Sequence, residues 1–265
     1  MRRGRTDGRS TTAARRTARL GRAYGGRRTT AEPGVGGVVL ILPDGAPEST
    51  RGRSPWAHLA ALSLGRALAR AGHSEGLVVL PVHYSGRGWN GTRAQLAVDA
   101  AWAADEVVRR YGDVPVCLVG LGLGGRAALR AAGHAAVASV LAMAPLLPPE
   151  GRDAGGASEP VKQLVGRKVM IVHGTNDERS CPDRSYRLAE RAKKANRDIC
   201  RFEVHTDGHA LRQHHAEVLA LAVDFVVGTL VPRPFSRPVA DALAAPPPLG
   251  LRMPLAAGFG KSLRP

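Results

Sequence analysis

Three turns in this 265-residue chain carry side chains, or positions, that could do chemistry. Residues 173–177 read His-Gly-Thr-Asn-Asp, and residues 206–209 read Thr-Asp-Gly-His. An acid and a histidine on successive turns can form an oriented general base, the carboxylate fixing the imidazole tautomer and steadying the imidazolium. Either turn alone is weak evidence, because a lone Asp is commonly a helix cap and a lone His a surface residue. The third turn, Gly120-Leu121-Gly122-Leu123-Gly124-Gly125, admits two uses. Gly120, Gly122 and Gly124 have the spacing of the elbow G-x-S-x-G, which lifts a nucleophilic serine out of a strained strand-to-helix turn. Gly122 stands where that serine would be. Gly120, Gly122 and Gly125 also complete the fingerprint G-x-G-x-x-G, in which a helix N-terminus receives a pyrophosphate.

The flanking sequence predicts the elements that position these turns. Continuous apolar runs at 36–43, 76–84, 116–119, 136–144, 167–174 and 199–205 read as six strands buried on both faces. Helical spacing lies between them, at 55–71, 93–111, 126–132, 183–195 and 210–227, with Ser54 and Thr92 as caps and Gly72 as a stop. Residues 145–160 read as a loop, with a short helical turn near 161–165. Alternation of this kind predicts a mostly parallel sheet with helices on both faces. Such sheets bind ligands at the carboxyl ends of their strands, and all three turns fall there.

The order of the turns separates the two uses of the glycine block. A dinucleotide site needs an acid about 20 residues on, at the end of the next strand. That strand ends Leu141-Ala142-Met143-Ala144-Pro145, without one. The elbow needs an acid after a later strand and a histidine after the next. Asp177 and His209 satisfy that order.

On these residues the chain resembles the α/β-hydrolase superfamily, particularly small esterase-like or dienelactone-hydrolase-like members without a large cap domain. The stretch VGLGLGGRAALRAAG is similar to their VGHSMGGRAAL elbow, MIVHGTND to their acid turn and DGHALR to their histidine turn. The resemblance spans about residues 35–230. It implies an α/β-hydrolase fold with a mostly parallel sheet of about six strands, acyl transfer to water, no metal and no organic cofactor. It implies Asp177 as the acid and His209 as the base. The oxyanion hole would be formed by N–H groups at Leu123 and near Asp44 or Gly45, and the nucleophile position is occupied by Gly122. Three functions stay open. One is a weakened or non-catalytic hydrolase homologue that binds a small acyl or ester-like molecule in its crevice. Another is an active hydrolase using His209-activated water or a different nucleophile such as Ser85. The last is a dinucleotide-binding module.

Other residues weigh less. Cys117 lies in an apolar strand, and three cysteines without framework spacing fit a reducing, cytoplasmic setting. His205, His209, His214 and His215 lack a known ligand spacing, so no metal is expected. Trp56, Trp89 and Trp102 could line the crevice but suit core packing better. No apolar run reaches the roughly 18 residues of a membrane span.

The net charge of +16 is concentrated in the tails. Ten Arg against one acid in 1–30, and five basic residues against one acid in 231–265, leave +3 on the 200 residues between. Residues 1–33 read as a disordered Arg-rich extension, 34–230 as the hydrolase domain and 231–265 as a disordered, Pro-rich basic tail. The extension could act as a weak polyanion tail, a transit-type sequence or an inert stretch translated from upstream of the natural start. Nucleic acid is not expected as a partner beyond that tail, nor is a membrane, and no feature specifies an oligomeric state.

Overall fold

The computed structural model describes residues 16–25, 34–52, 54–149 and 158–261. The remaining parts of the expected N-terminal extension, the 145–160 loop and the C-terminal tail lie outside the described residues.

Seven consecutive neighbours of an eight-stranded sheet run parallel. They are β2 (Gly37–Leu42), β3 (Leu77–His83), β4 (Val116–Leu121), β5 (Val137–Met143), β6 (Lys168–Gly174), β7 (Ile199–Val204) and β8 (Met253–Pro254). The strand β1 (Arg19–Leu20) pairs antiparallel with β3, and the order is β1-β3-β2-β4-β5-β6-β7-β8. The six long strands are those read from the apolar runs. The two extra ones are two-residue edge pairings, too short to leave a periodic signal.

The apolar runs exist because both sheet faces are covered. Along β2, Val38, Leu40 and Leu42 pack into one core layer, whereas Val39 and Ile41 pack into the other. The first layer holds α3 (Gln95–Tyr111), α4 (Leu123–Ala131) and α5 (Pro182–Ala195). The second holds α2 (Leu62–Ala71), α6 (His215–Leu230) and α7 (Arg237–Ala244). A short helix, α1 (Pro55–Ala60), precedes α2, so the helix expected over 55–71 is broken at Ala61; Ser54 caps its start through the Ala57 N–H.

Several expectations need correction. Thr92 is not the cap of α3, which begins two residues after a 3-10 turn at Gly91–Arg93. The last core helix is shifted to His215–Leu230, because Asp207 accepts the N–H groups of Arg212 and His214 and holds 207–214 as a turn. Residues 16–25 are not a free extension: Leu20 is buried against the sheet and Tyr24 packs beside it. Nor is the C-terminal segment a free tail. Phe235 stacks 6.2 Å from Phe225, and Leu251 and Val239 are fully buried. Its Pro and Ala content resembles low complexity, but its few large apolar side chains are spaced to cover β7 and α6. Trp89 is buried beneath the Arg126 guanidinium and Trp102 is half-buried, whereas Trp56 is 77% exposed.

Candidate active site

Strand order creates the site. The chain leaves β2 toward β3 on one side, while β4 lies on the other, so the connections diverge above β2 and β4 and leave a crevice. Register then sets who meets in it. Leu42 pairs with Gly120, so Asp44 and Gly122, each two residues further on, emerge side by side. Asp177 follows β6, and His209 follows β7.

The backbone at Gly122 has the geometry of an elbow, with φ 54° and ψ −120°. A residue with a side chain is strained there by roughly 1–3 kcal/mol, and glycine is not. Gly124 permits the next step, since a Cβ on it would lie 2.1 Å from the Leu42 carbonyl oxygen. The helix α4 can therefore start immediately above β2, its first N–H groups facing the crevice.

His209 and Asp177 meet as the resemblance implies. The His209 Nδ1–H donates to Asp177 Oδ2 at 2.9 Å, leaving Nε2 toward the crevice. Asp177 is nearly fully buried and held from every side. Its Oδ1 accepts the N–H groups of Arg179 and Ser180, each at 2.9 Å. Its Oδ2 accepts the Ser180 hydroxyl at 2.5 Å and lies 3.2 Å from His173 Nε2. Burial opposes its charge, but the His173, Ser180 and His209 contacts outweigh that and hold the carboxyl well below the usual range. Ser180 and His173 were not anticipated as parts of the site. Their signal was present: both lie within four residues of Asp177, inside the acid turn.

The space beside Gly122 is not empty. The Asp44 carboxylate fills it. A Cβ built on Gly122 would lie 2.2 Å from Asp44 Oδ1 and 3.0 Å from Oδ2. The same Oδ1 accepts from Leu123 N–H and from Gly45 N–H, both at 2.8 Å. These are the two N–H groups expected to form an oxyanion hole, and both are engaged by the protein's own carboxylate. Asp44 enters this site through its side chain, not as a hole donor. Its Oδ2 lies 2.8 Å from Arg179 Nη1 and 3.8 Å from His209 Nε2. At 3.8 Å the imidazole acts on Asp44 as a neighbouring charge, not as a hydrogen-bond donor.

The two groups shift each other. Burial resists ionisation of Asp44, but His209, the Leu123 N–H, Arg179 and the Gly45 N–H together keep it below its ordinary value of 3.8. Burial likewise opposes the imidazolium, yet Asp44 and Asp177 raise His209 above 6.5. The stabilisation from Asp44 is present above its ordinary range and fades as pH falls through its depressed folded value. That from His209 is present below 6.5 and fades as pH rises through its raised folded value. Wild-type stability should therefore fall as pH rises from 6.5 through the raised folded value of His209, and fall less in Asp44→Asn. Urea midpoints across that range check the sign; identical slopes in the two proteins contradict it.

Other candidates are placed elsewhere. Ser85 donates both N–H and Oγ to Asp99, each at 2.8 Å, and opens onto a separate polar hollow with Arg16, Arg19 and Arg51. It is a turn residue and not a nucleophile for the His209 crevice. Cys117 is fully buried and its thiol is pushed up to about 12 by burial. The glycine block offers no seat for a pyrophosphate, because the N–H of Leu123 is taken by a carboxylate whose charge repels a second anion. Among the described residues no three His, Cys, Asp or Glu converge as a metal site.

A parallel sheet with this crevice, elbow and acid–histidine pair defines an α/β-hydrolase fold, and solved structures agree. An esterase from Pyrococcus furiosus superposes with a TM-score of 0.57 at 14% identity, over 75% of this chain and 83% of that one. A Klebsiella pneumoniae protein assigned as a dienelactone hydrolase gives 0.57 at 16% identity, over 80% and 97%. An α/β serine hydrolase without a lid from Xanthomonas campestris gives 0.54 at 17% identity, over 82% and 97%. At these identities the likeness is one of fold. No protein-family model and no curated protein matches the chain. No helix among the described residues is long and apolar enough to cross a membrane.

Proposed function

We propose that this protein is a relative of carboxylic-ester and lactone hydrolases that has lost serine-dependent acyl transfer. Its crevice holds a small, largely apolar acyl or ester-like molecule. One observation carries the reading: the Asp44 carboxylate sits against Gly122 and on both hole N–H groups. An ester approaching the elbow meets no hydroxyl, and its carbonyl oxygen meets a negative charge where two donors should be. Hydrolases stripped of their triad still retain about 10³–10⁴-fold acceleration through an intact hole and binding. With the hole filled, that residue of activity goes too.

The cavity remains. It measures about 700 Å³, within the range of small-molecule sites. Leu64, Leu121, Met143, Leu211, Val218 and Leu219 line it, with Asp44, Arg179 and His209 at one end. The apolar side chains suit a short acyl chain or lactone ring, and Arg87 and Arg212 also line the cavity.

A fluorophosphonate should leave the protein unlabelled, and p-nitrophenyl acetate and butyrate should be cleaved no faster than in buffer. Calorimetry with ethyl butyrate should show saturable heat that is lost in Leu219→Arg. Fluorophosphonate labelling, or ester turnover that disappears in His209→Ala, overturns the reading.

A further inference from the structure

We propose that the polar hollow at the carboxyl end of β3 is a second ligand site, built for the diphosphate group of a small phosphorylated molecule. It is distinct from the apolar crevice and from the glycine block, and it stands whether or not the crevice has lost its chemistry.

The short edge strand makes the hollow. Arg19 pairs with His83 and Leu20 with Val82. The backbone then follows β3 further, the Gly21 N–H donating to the Pro81 carbonyl at 2.8 Å and the Tyr24 N–H to the Val79 carbonyl at 3.0 Å. Leu20 is buried and anchors this segment, so Arg16 and Arg19 are carried at the end of β3. The opposite wall is fixed by backbone bonds as well. The Arg87 N–H donates to the Arg51 carbonyl at 3.2 Å, and the Arg87 carbonyl accepts the Ala46 N–H at 2.7 Å. Between the walls lies a cavity of about 660 Å³, the size of a small-molecule site.

Four guanidinium groups line it, those of Arg16, Arg19, Arg51 and Arg87. Among the described residues no Asp, Glu, Leu, Ile, Val or Met lines it. Asp99 lies behind Ser85 and is already engaged, taking the Ser85 N–H and hydroxyl on Oδ2 and the Gln95 amide on Oδ1. Two of the arginines are seated by their surroundings. Arg87 Nε donates to Ser49 Oγ at 3.1 Å. The Arg16 guanidinium lies across Gly52, where an added Cβ would stand 2.5 Å from its Nη1. Like charges gathered in one concavity repel, and an anion placed among them relieves that repulsion. The planar guanidinium fork matches phosphate oxygens two at a time. One phosphate group saturates about two such forks, so four forks call for two linked phosphates. A walled hollow at one sheet edge suits a compact ligand better than the long backbone of a nucleic acid, which needs a groove or stripe to follow.

The test is calorimetry on the full chain with inorganic pyrophosphate, free of divalent cations, at physiological salt. Binding should saturate at one per chain and be at least about 10-fold tighter than that of inorganic phosphate. Arg19→Gln and Arg51→Gln should each weaken it by about 10-fold or more, the loss expected for a charge-assisted hydrogen bond. Both residues are exposed, so urea midpoints should stay at the wild-type value. Arg87 is left intact because it also lines the crevice. Gly52→Ala should weaken binding without changing the charge, since its methyl group takes the place of the Arg16 guanidinium. Arg237→Gln makes the same charge change on α7, where the side chain is 92% exposed, and should leave binding unaltered. Absence of saturable heat at millimolar pyrophosphate, or an equal loss in Arg237→Gln, overturns the proposal. So does phosphate binding as tightly as pyrophosphate, or a short oligothymidylate binding more tightly through the same arginines.

Discussion

Serine placed at position 122 alone should restore no esterase activity, whereas Asp44→Gly combined with Gly122→Ser should. The single change meets two obstacles. Its Cβ would lie 2.2 Å from Asp44 Oδ1, far inside contact distance, on a backbone with φ 54°. It should cost at least the roughly 1–3 kcal/mol of such a conformation. Even if the side chain fits, the oxyanion hole remains occupied. Losing one hole donor typically costs about 10²–10³-fold in kcat, and here both are engaged. Asp44→Gly alone frees the hole but supplies no nucleophile. The double variant has a hydroxyl beside His209 Nε2 and two unoccupied N–H groups. Its kcat/KM for p-nitrophenyl acetate should exceed that of either single variant by about 10²-fold or more, a strongly non-additive cycle. Equal activity in the serine single variant would mean that Asp44 swings aside freely and does not plug the hole.

Arg201→Met should lower stability by about 3–5 kcal/mol, the usual result of removing one member of a buried ion pair. Arg201 is 1% exposed. Its guanidinium donates to Glu203 Oε1 at 2.7 Å, Ser185 Oγ at 3.0 Å, the Leu251 carbonyl at 3.0 Å and the Pro182 carbonyl at 3.3 Å. These bonds tie β7 to the start of α5 and to the C-terminal turn at Leu249–Leu251. Met matches the apolar stem but leaves those acceptors buried without their donor. Against a typical total of about 5–15 kcal/mol, the loss should be plain in a urea midpoint. Hydrogen exchange in 249–255 should accelerate more than in β4 or β6, since that segment loses its Arg201 tether and those strands make none. Arg201→Lys keeps the charge without the planar fork and should recover part of the stability. A midpoint unchanged in Arg201→Met would show that apolar packing and the β7–β8 backbone pairing hold the C-terminal segment without this guanidinium.

The site was legible in the sequence to the extent that it is local. Continuous apolar runs, a glycine-rich turn before a helical pattern, and an acid and a histidine after successive strands each report on a few neighbouring residues. Local sterics and burial dictate them, so the six long strands and the Asp177–His209 pair could be expected before the fold was known. Ser180 and His173 were within reach on the same ground. Asp44 was not. It follows the first long strand by two residues, as many turn-forming aspartates do. Its importance depends on the pairing of Leu42 with Gly120, a register set by hydrogen bonds between segments 78 residues apart. The ends of the fold failed for a related reason. Arg19–Leu20 and Met253–Pro254 are too short to carry a period, and join the sheet only because its edges offer partners.

From the sequence alone come the α/β architecture, a glycine-rich strand-to-helix turn centred on Gly122, and a histidine paired with an acid. These are consequences of side-chain period and turn chemistry, which the chain carries residue by residue. The tertiary structure decided what stands beside Gly122. Placing Asp44 over Gly122 turned an apparent vacancy into an occupied site and put a carboxylate on the hole's two N–H groups. That could be decided only in three dimensions, because the space a glycine leaves has no sequence signature until a distant side chain enters it.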